Sequence, residues 1–148
     1  MDFMPELSFL EYNIITNVMS LCTATMGAGA IFLFLARSQI APKYRLSVLI
    51  SAIVPAIACY HYFMINGNFI NAYTLSEAGT YVSSGKPFND FYRYADWLIT
   101  VPLLTTELVL VLGLTAKKTY SLGWRLGLAA ALMIILGYPG EVAEETSI

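Results

Sequence analysis

Two long stretches of this sequence carry no charge. The first lies between Glu11 and Arg37, and the second follows Arg45 and continues to about Asn66. Each exceeds the roughly 20 mostly apolar residues that a helix needs to span a bilayer. Charged residues make up only 12% of the whole chain, against about 25% in soluble domains. The surplus apolar surface is expected to face lipid.

Two further apolar segments follow, so the sequence predicts an all-α membrane protein with four transmembrane helices, A to D. Their predicted bounds are residues 12–36, 46–66, 89–114 and 120–138. The connection between helices B and C, residues 68–88, is long for a compact bundle. It contains two short β-prone runs, around Ala72–Leu75 and Thr80–Ser83. We predict a β-hairpin there, with an irregular loop as the alternative.

Other classes of site find no support in the sequence. Acidic Asp2 and Glu6 stand where a signal peptide would be basic, so helix A is expected to remain in the protein. Cys22 and Cys59 fall inside helices A and B, which favours free thiols that act as small hydrophobic residues. We predict no metal site, no phosphate-binding glycine loop and no nucleic-acid partner.

Charge is segregated between the connections. In the A–B loop and in the region around the start of helix D, all the charged residues are basic. They are Arg37, Lys43, Arg45, Lys117, Lys118 and Arg125. The other side collects most of the acidic residues: Asp2, Glu6, Glu11, Glu77, Asp90, Glu141, Glu144 and Glu145. Basic loops mark the cytoplasmic side. We therefore expect a multi-pass protein of a prokaryotic-type inner membrane, with its N-terminus outside.

Helix C contains an unusual group of charged and polar residues, in the stretch RYADWLITVPLLTTE. Steps of three, four and seven residues place Arg93, Asp96, Thr100 and Glu107 on one helical face. Asp96 and Glu107 are separated by three turns, or roughly 16 Å of rise. Ionisable groups inside a membrane are costly, and they normally face the bundle interior and serve a transport pathway.

The surroundings of the two carboxyl groups predict different protonation states. Glu107 has no basic neighbour one turn away, so it is expected to stay protonated and hold a proton. Asp96 has Arg93 one turn outward, so it is expected to be an ionised acceptor, although a purely structural Arg93–Asp96 ion pair is the alternative. An acceptor and a donor on opposite sides outline a proton conduit. A lysine is the natural group between them, but all four lysines are predicted to lie in loops.

The helix C stretch resembles the microbial rhodopsins, in particular the light-driven proton pumps of the proteorhodopsin and xanthorhodopsin type. Supporting matches are YHYF in helix B, FNDFYRY before helix C and GYPGE at the end of helix D. The long B–C loop looks more like the xanthorhodopsin branch. The resemblance implies that this chain covers helices A–D of one seven-helix retinal-binding domain, as its N-terminal part, residues 1–148.

The resemblance also implies roles for the residues that match the family motif. Asp96 would be the Schiff-base counterion and primary proton acceptor, and Glu107 the cytoplasmic donor. Thr100 completes the Asp-Thr-Glu triplet typical of the proton pumps. Arg93 would help to hold the outward water network, and His61 would hydrogen-bond the counterion.

Four further residues match positions that line retinal in this family, although ordinary helix packing would also explain them. They are Trp97, Leu104, Met133 and Gly137. Leu104 matches the colour-tuning site where leucine goes with green rather than blue absorption. A carotenoid antenna, as in the xanthorhodopsin branch, would depend on residues beyond Ile148.

The retinal-bearing lysine of this family lies on the last helix, outside this sequence. We therefore expect helices E–G to come from a continuing chain or a second polypeptide, or a homo-oligomer to cover the polar face of helix C within the lipid bilayer. The predicted function is a light-driven outward proton pump, an ion transporter rather than an enzyme. A retinal photosensor with a slow photocycle is one alternative, and a truncated fragment or assembly partner without retinal is another.

Overall fold

The computed structural model describes residues 4–89 and 91–145, in which the chain forms four long helices and one β-hairpin. The helices are α1 (Phe9–Ala36), α2 (Arg45–Ala72), α3 (Phe91–Val111) and α4 (Ala116–Glu145). The hairpin pairs β1 (Tyr73–Leu75) with β2 (Tyr81–Ser83) in antiparallel register. All four helices are long and apolar enough to cross a membrane. The predicted four-helix architecture and B–C hairpin are confirmed; Asp2 and Asp90, counted above with the acidic residues, lie outside the described part.

The first helix begins three residues earlier than predicted because Ser8 caps it. The Ser8 hydroxyl accepts a hydrogen bond from the backbone N–H of Glu11, and a Glu11 carboxylate oxygen accepts one from the backbone N–H of Ser8 at 2.8 Å. This reciprocal capping box satisfies two donors that a helix N-terminus otherwise leaves without partners. The sequence carries its signature, a serine followed three residues later by glutamate.

Two further helices extend beyond their predicted bounds: α4 runs from Ala116 to Glu145 rather than over residues 120–138, and α2 also ends later than predicted. We expected helix B to end near Gly67, but α2 continues to Ala72. The reason lies in tertiary packing, since Phe69 and Ala72 are buried in a cluster with Tyr12 of α1 and with Tyr73. Burying these apolar groups outweighs the modest helix-weakening effect of one glycine, about 1 kcal/mol.

The connection between α3 and α4 is shorter than predicted. Helix α3 ends at Val111, and Gly113 turns the chain with φ of +62°, a conformation that glycine adopts without strain. Helix α4 begins at Ala116. Lys117 and Lys118, which were predicted to lie in a loop, therefore lie in its first turn instead. The backbone N–H of Thr119 donates to the carbonyl of Thr115, which closes this first turn.

The helices pack mainly against their neighbours in sequence, in the order α1, α2, α3, α4. Glycines allow two close approaches. A Cβ atom at Gly27 of α1 would meet Cys59 Sγ of α2 at 3.3 Å, and one at Gly127 of α4 would meet Pro102 of α3 at 3.9 Å. Small residues of this kind let membrane helices approach closely where the hydrophobic effect does not drive association.

The hairpin and the N-terminal segment together cover the N-terminal end of α1 and the C-terminal end of α2. Leu7 forms an isolated antiparallel bridge with Tyr81, with two backbone hydrogen bonds of 2.9 and 2.7 Å. The ring of Tyr81 stacks on that of Tyr12, with centroids 3.6 Å apart. The Tyr73 hydroxyl donates to the carbonyl of Pro5 at 3.1 Å. We call this region, residues 4–8 with the hairpin, the outer cap, after the side of the membrane on which we expect it.

Candidate functional site

Asp96 is buried in α3, with only 6% of its surface exposed. Thr100, one turn further along, is also buried, and its hydroxyl donates to the Asp96 carbonyl at 2.9 Å. This bond turns the threonine back onto its own helix, so it satisfies a hydroxyl that could not reach water. The two predicted site residues therefore lie together on the face of α3 that packs on α2.

His61 of α2 contacts the Asp96 carboxyl group. Its Nδ1 atom lies 3.2 Å from Asp96 Oδ1 and 3.2 Å from the carbonyl oxygen of Ile57. Both side chains are largely buried. Because two oxygen acceptors surround Nδ1, this nitrogen must carry the proton when Asp96 is ionised. His61 then holds Asp96 through a donated hydrogen bond.

Glu107 has a partner that sequence reasoning did not identify. The Ser51 hydroxyl of α2 lies 2.5 Å from Glu107 Oε1 and 3.2 Å from the backbone carbonyl oxygen of Ser47. Ser51 and Glu107 are both partly buried between α2 and α3. A serine in an apolar helix is common, so only the pairing across helices distinguishes Ser51.

The Ser51 hydroxyl has one proton and two acceptor positions. If it donates to the Ser47 carbonyl, it can accept a hydrogen bond from a protonated Glu107. If Glu107 loses its proton, the hydroxyl can rotate and donate to the carboxylate instead. The contact therefore accommodates both protonation states of Glu107 without moving either helix.

The two carboxyl contacts lie at different depths of the α2–α3 interface. Asp96 pairs with His61, and Glu107 pairs with Ser51. Since the helices run in opposite directions, separations of ten residues on α2 and eleven on α3 agree, at roughly 15–16 Å of rise. Arg93 lies in the first turn of α3, three residues before Asp96, and is half-buried. The predicted polar face of α3 is thus directed mainly toward α2.

The residues expected to line retinal do not lie on the polar face of α3 that is directed toward α2. Trp97 is 39% exposed, Leu104 47% and Met133 59%, and Gly137 is exposed as well. Trp97 and Leu104 lie two turns apart on α3, and Met133 and Gly137 lie one turn apart on α4. The structure therefore does not bring these four residues into an enclosed pocket within the described chain.

Aromatic rings join the two helices beside this surface. Tyr94 contacts Trp97 edge to face, with centroids 5.4 Å apart, and contacts Tyr138 of α4 at 4.9 Å. Such pairs add about 0.5–1.5 kcal/mol beyond the area they bury. They fix the position of Trp97 relative to α4. We call these four exposed positions, two on each of the packed helices α3 and α4, the α3–α4 wall.

Comparisons with known proteins agree on one family. The family model for bacteriorhodopsin-like proteins matches residues 13–148. The green-light absorbing proteorhodopsin of Gamma-proteobacterium EBAC31A08 is 33% identical over 121 residues, which cover 82% of this chain and 43% of that protein. The chain thus spans less than half the length of the curated relatives it matches.

Two solved structures are similar over nearly all of the chain. One is xanthorhodopsin, described as a light-driven ion pump with dual chromophore, with 52% identity and a TM-score of 0.90 over 94% of this chain and 55% of that one. The other is a thermophilic rhodopsin, with 54% identity and a TM-score of 0.89 over 95% and 55%. The chain therefore belongs to the bacteriorhodopsin-like family, the microbial rhodopsins, and is a multi-pass membrane protein.

Proposed function

We propose that this chain carries the proton-transfer groups of a retinal-based, light-driven outward proton pump. In this proposal Asp96 accepts a proton on the outer side and Glu107 supplies one from the cytoplasmic side. The observation that carries it is the presence of two carboxyl groups on one face of α3, each with its own polar partner on α2. A purely structural ion pair between Arg93 and Asp96 would not account for the second carboxyl group, that of Glu107.

The α3–α4 wall fits one side of a retinal site. It presents a flat indole at Trp97, aliphatic and thioether side chains at Leu104 and Met133, and a position without a side chain at Gly137. A Cβ atom at Gly137 would meet nothing within 4 Å, so the space in front of the helix is open. Ligand sites are mostly apolar with a few polar groups, and Asp96 lies one residue from Trp97 on the adjoining face.

Retinal, when bound through a lysine on another helix, would supply the light-absorbing group and the nitrogen whose proton is transferred. This chain would then place a negative charge, the carboxylate of Asp96, near that nitrogen. Ionised Asp96 is the acceptor, and its Oδ1 atom is oriented by the proton on His61 Nδ1. Burial excludes bulk water, which strengthens this charge-assisted contact.

Glu107 holds the proton for the return step. Its carboxyl group is partly buried and faces the Ser51 hydroxyl, which can accept from the acid and donate to the carboxylate. Ser51 thus stabilises Glu107 before and after proton release. Thr100 lies on the same face of α3, between Asp96 and Glu107. It would therefore separate the proton acceptor from the proton donor along the helix.

The remaining parts of the proposal concern the whole protein. Helices beyond this chain, continuing or on a second polypeptide, would cover the α3–α4 wall and provide the lysine. With the basic A–B connection in the cytoplasm, the N-terminus and outer cap face outward. Similarity to a pump with dual chromophore makes a carotenoid a further candidate partner, and association into homo-oligomers is part of the proposal.

The test is illumination of cells or vesicles that contain the full-length protein and retinal. We expect acidification on the side of the outer cap, abolished by a protonophore and absent in Asp96→Asn. A protein that binds retinal and completes its photocycle without moving protons would contradict the proposal and favour the photosensor.

A further inference from the structure

The proposed proton path does not involve a cavity with two arginines in its lining. It lies where α1 ends and α2 begins, and it is open to the surroundings. Its lining residues are Arg37, Ser38, Arg45, Leu46 and Leu49. Since both helices are spanning segments, the cavity lies at the level where the membrane meets the aqueous phase.

The two arginines are held in position and still have hydrogen-bond donors to offer. Arg45 donates from Nε to the Ile40 carbonyl at 3.0 Å and from Nη2 to the Ser38 carbonyl at 3.3 Å. A guanidinium has five N–H donors, so three remain. The Arg37 guanidinium carbon lies 4.2 Å from the centre of the Phe34 ring, a cation–π contact that leaves its N–H edge free for another group.

The charge of the connection between α1 and α2 favours binding of an anion. The connection from Arg37 to Arg45 contains three basic residues and no acidic one. Within the described residues neither arginine pairs with a carboxylate. Paired guanidinium groups match the geometry of phosphate oxygens and bind them through parallel hydrogen bonds.

The rest of the cavity is apolar. Leu46 is 55% exposed and, with Leu49, continues the lining along α2 toward the membrane interior. A soluble anion would gain nothing from this surface. A lipid would place its phosphate beside the arginines and its acyl chain along the leucines.

We propose that this cavity binds the headgroup of an anionic phospholipid of the inner leaflet, with phosphatidylglycerol as the type. Basic pockets between membrane helices on the cytoplasmic side are suited to such headgroups. The site is separate from the proton-transfer residues, so the proposal stands independently of pumping.

The test is lipid retention by the full-length protein, measured by native mass spectrometry after exchange into mixed phosphatidylglycerol and phosphatidylcholine. We expect the parent to prefer phosphatidylglycerol, and Arg37→Gln/Arg45→Gln to lose about tenfold or more of that preference, because both guanidinium groups lose their charge-assisted hydrogen bonds to the lipid phosphate. The matched control is Lys117→Gln/Lys118→Gln, which removes two charges from the same membrane face at the start of α4.

The single variant Arg37→Gln separates loss of binding from misfolding. The Arg45 side chain orders the loop by donating to two carbonyls, whereas the Arg37 side chain contacts the Phe34 ring. We expect about a fivefold loss for this variant, which keeps one of the two guanidinium groups, with the far-ultraviolet dichroism unchanged. An equal loss in the lysine control would indicate general surface attraction and would overturn the site, as would unchanged preference in both arginine variants. Displacement of the lipid by millimolar inorganic phosphate would also overturn it, since the site would then bind a free anion.

Discussion

The Ser51 hydroxyl of α2 and the Glu107 carboxyl of α3 are in direct contact, with Oγ and Oε1 2.5 Å apart. The same pair of helices brings His61 to Asp96 three turns away. Helix α2 therefore supplies one polar partner for each carboxyl group of α3. This arrangement gives the buried Asp96 and the partly buried Glu107 one hydrogen-bond partner each within an apolar bundle.

Ser51→Ala should slow reprotonation from Glu107, because the carboxylate that remains after proton release loses a charge-assisted hydrogen bond, which is stronger than the one to the neutral acid. Loss of one hydrogen bond of about 1 kcal/mol corresponds to roughly a fivefold change in rate. Ser51→Thr keeps the hydroxyl and is the control. The measurement is the late decay of the photocycle by flash photolysis, and equal slowing in both variants would show that the hydroxyl has no such role.

Gly127→Leu should destabilise the protein through the α3–α4 contact. A Cβ atom there would lie 3.9 Å from Pro102 Cβ, Pro102 O and Thr106 Oγ1, so an alanine fits while a larger side chain would force the helices apart. Overpacking of this kind costs about 1–3 kcal/mol. Thermal denaturation should show a lowered midpoint for Gly127→Leu and a parent-like one for Gly127→Ala; a parent-like leucine variant would refute the close approach.

The outer cap should weaken at high pH. Burial raises the pKa of the Tyr73 hydroxyl above its ordinary value of 10.0, so its neutral form is favoured in the folded cap. The stabilisation is complete below about pH 10 and is lost as the pH rises through the higher folded-state pKa. The protection factors of the hairpin amides, which compare their exchange with the intrinsic rate at the same pH, should therefore fall above pH 10. They should fall less steeply in Tyr73→Phe, which cannot ionise. An identical pH profile in the two proteins would contradict this linkage.

Orientation can be tested with two exposed alanines. Ala78 lies in the hairpin turn and Ala41 in the connection between α1 and α2. In intact cells, a membrane-impermeant maleimide should label Ala78→Cys but not Ala41→Cys, and opening the cells should expose the second. The parent protein is the control, since Cys22 and Cys59 lie within α1 and α2. The reverse labelling order would place the N-terminus inside.

The helices, the hairpin and the polar face of α3 could be predicted because each depends on local pattern. Apolar length indicates a spanning helix, and residue spacing alone places Asp96, Thr100 and Glu107 on one face. The end of α2 could not be predicted, because Phe69 and Ala72 extend the helix by packing on Tyr12, a contact distant in sequence. Tertiary contacts of this kind override a local stop signal.

The partners of the carboxyl groups divide in the same way. His61 stood out as the single histidine of the chain and through the family resemblance. Ser51 did not, because its significance depends on the depth at which α2 passes Glu107, which only the packing of the two helices determines. The bridge between Leu7 and Tyr81 was missed for a related reason: three-residue strands leave too little pattern to predict a third partner.

Time-resolved infrared spectroscopy of the full-length, retinal-bound protein can follow proton transfer to Asp96 and from Glu107, because it detects protonation of individual carboxyl groups. Asp96→Asn and Glu107→Gln assign the bands. We expect an Asp96 carboxylic acid band to appear first after the flash, and the Glu107 band to be depleted later and then to recover. Absence of the Asp96 band, or a Glu107 band that never changes, would contradict the proposed proton transfer.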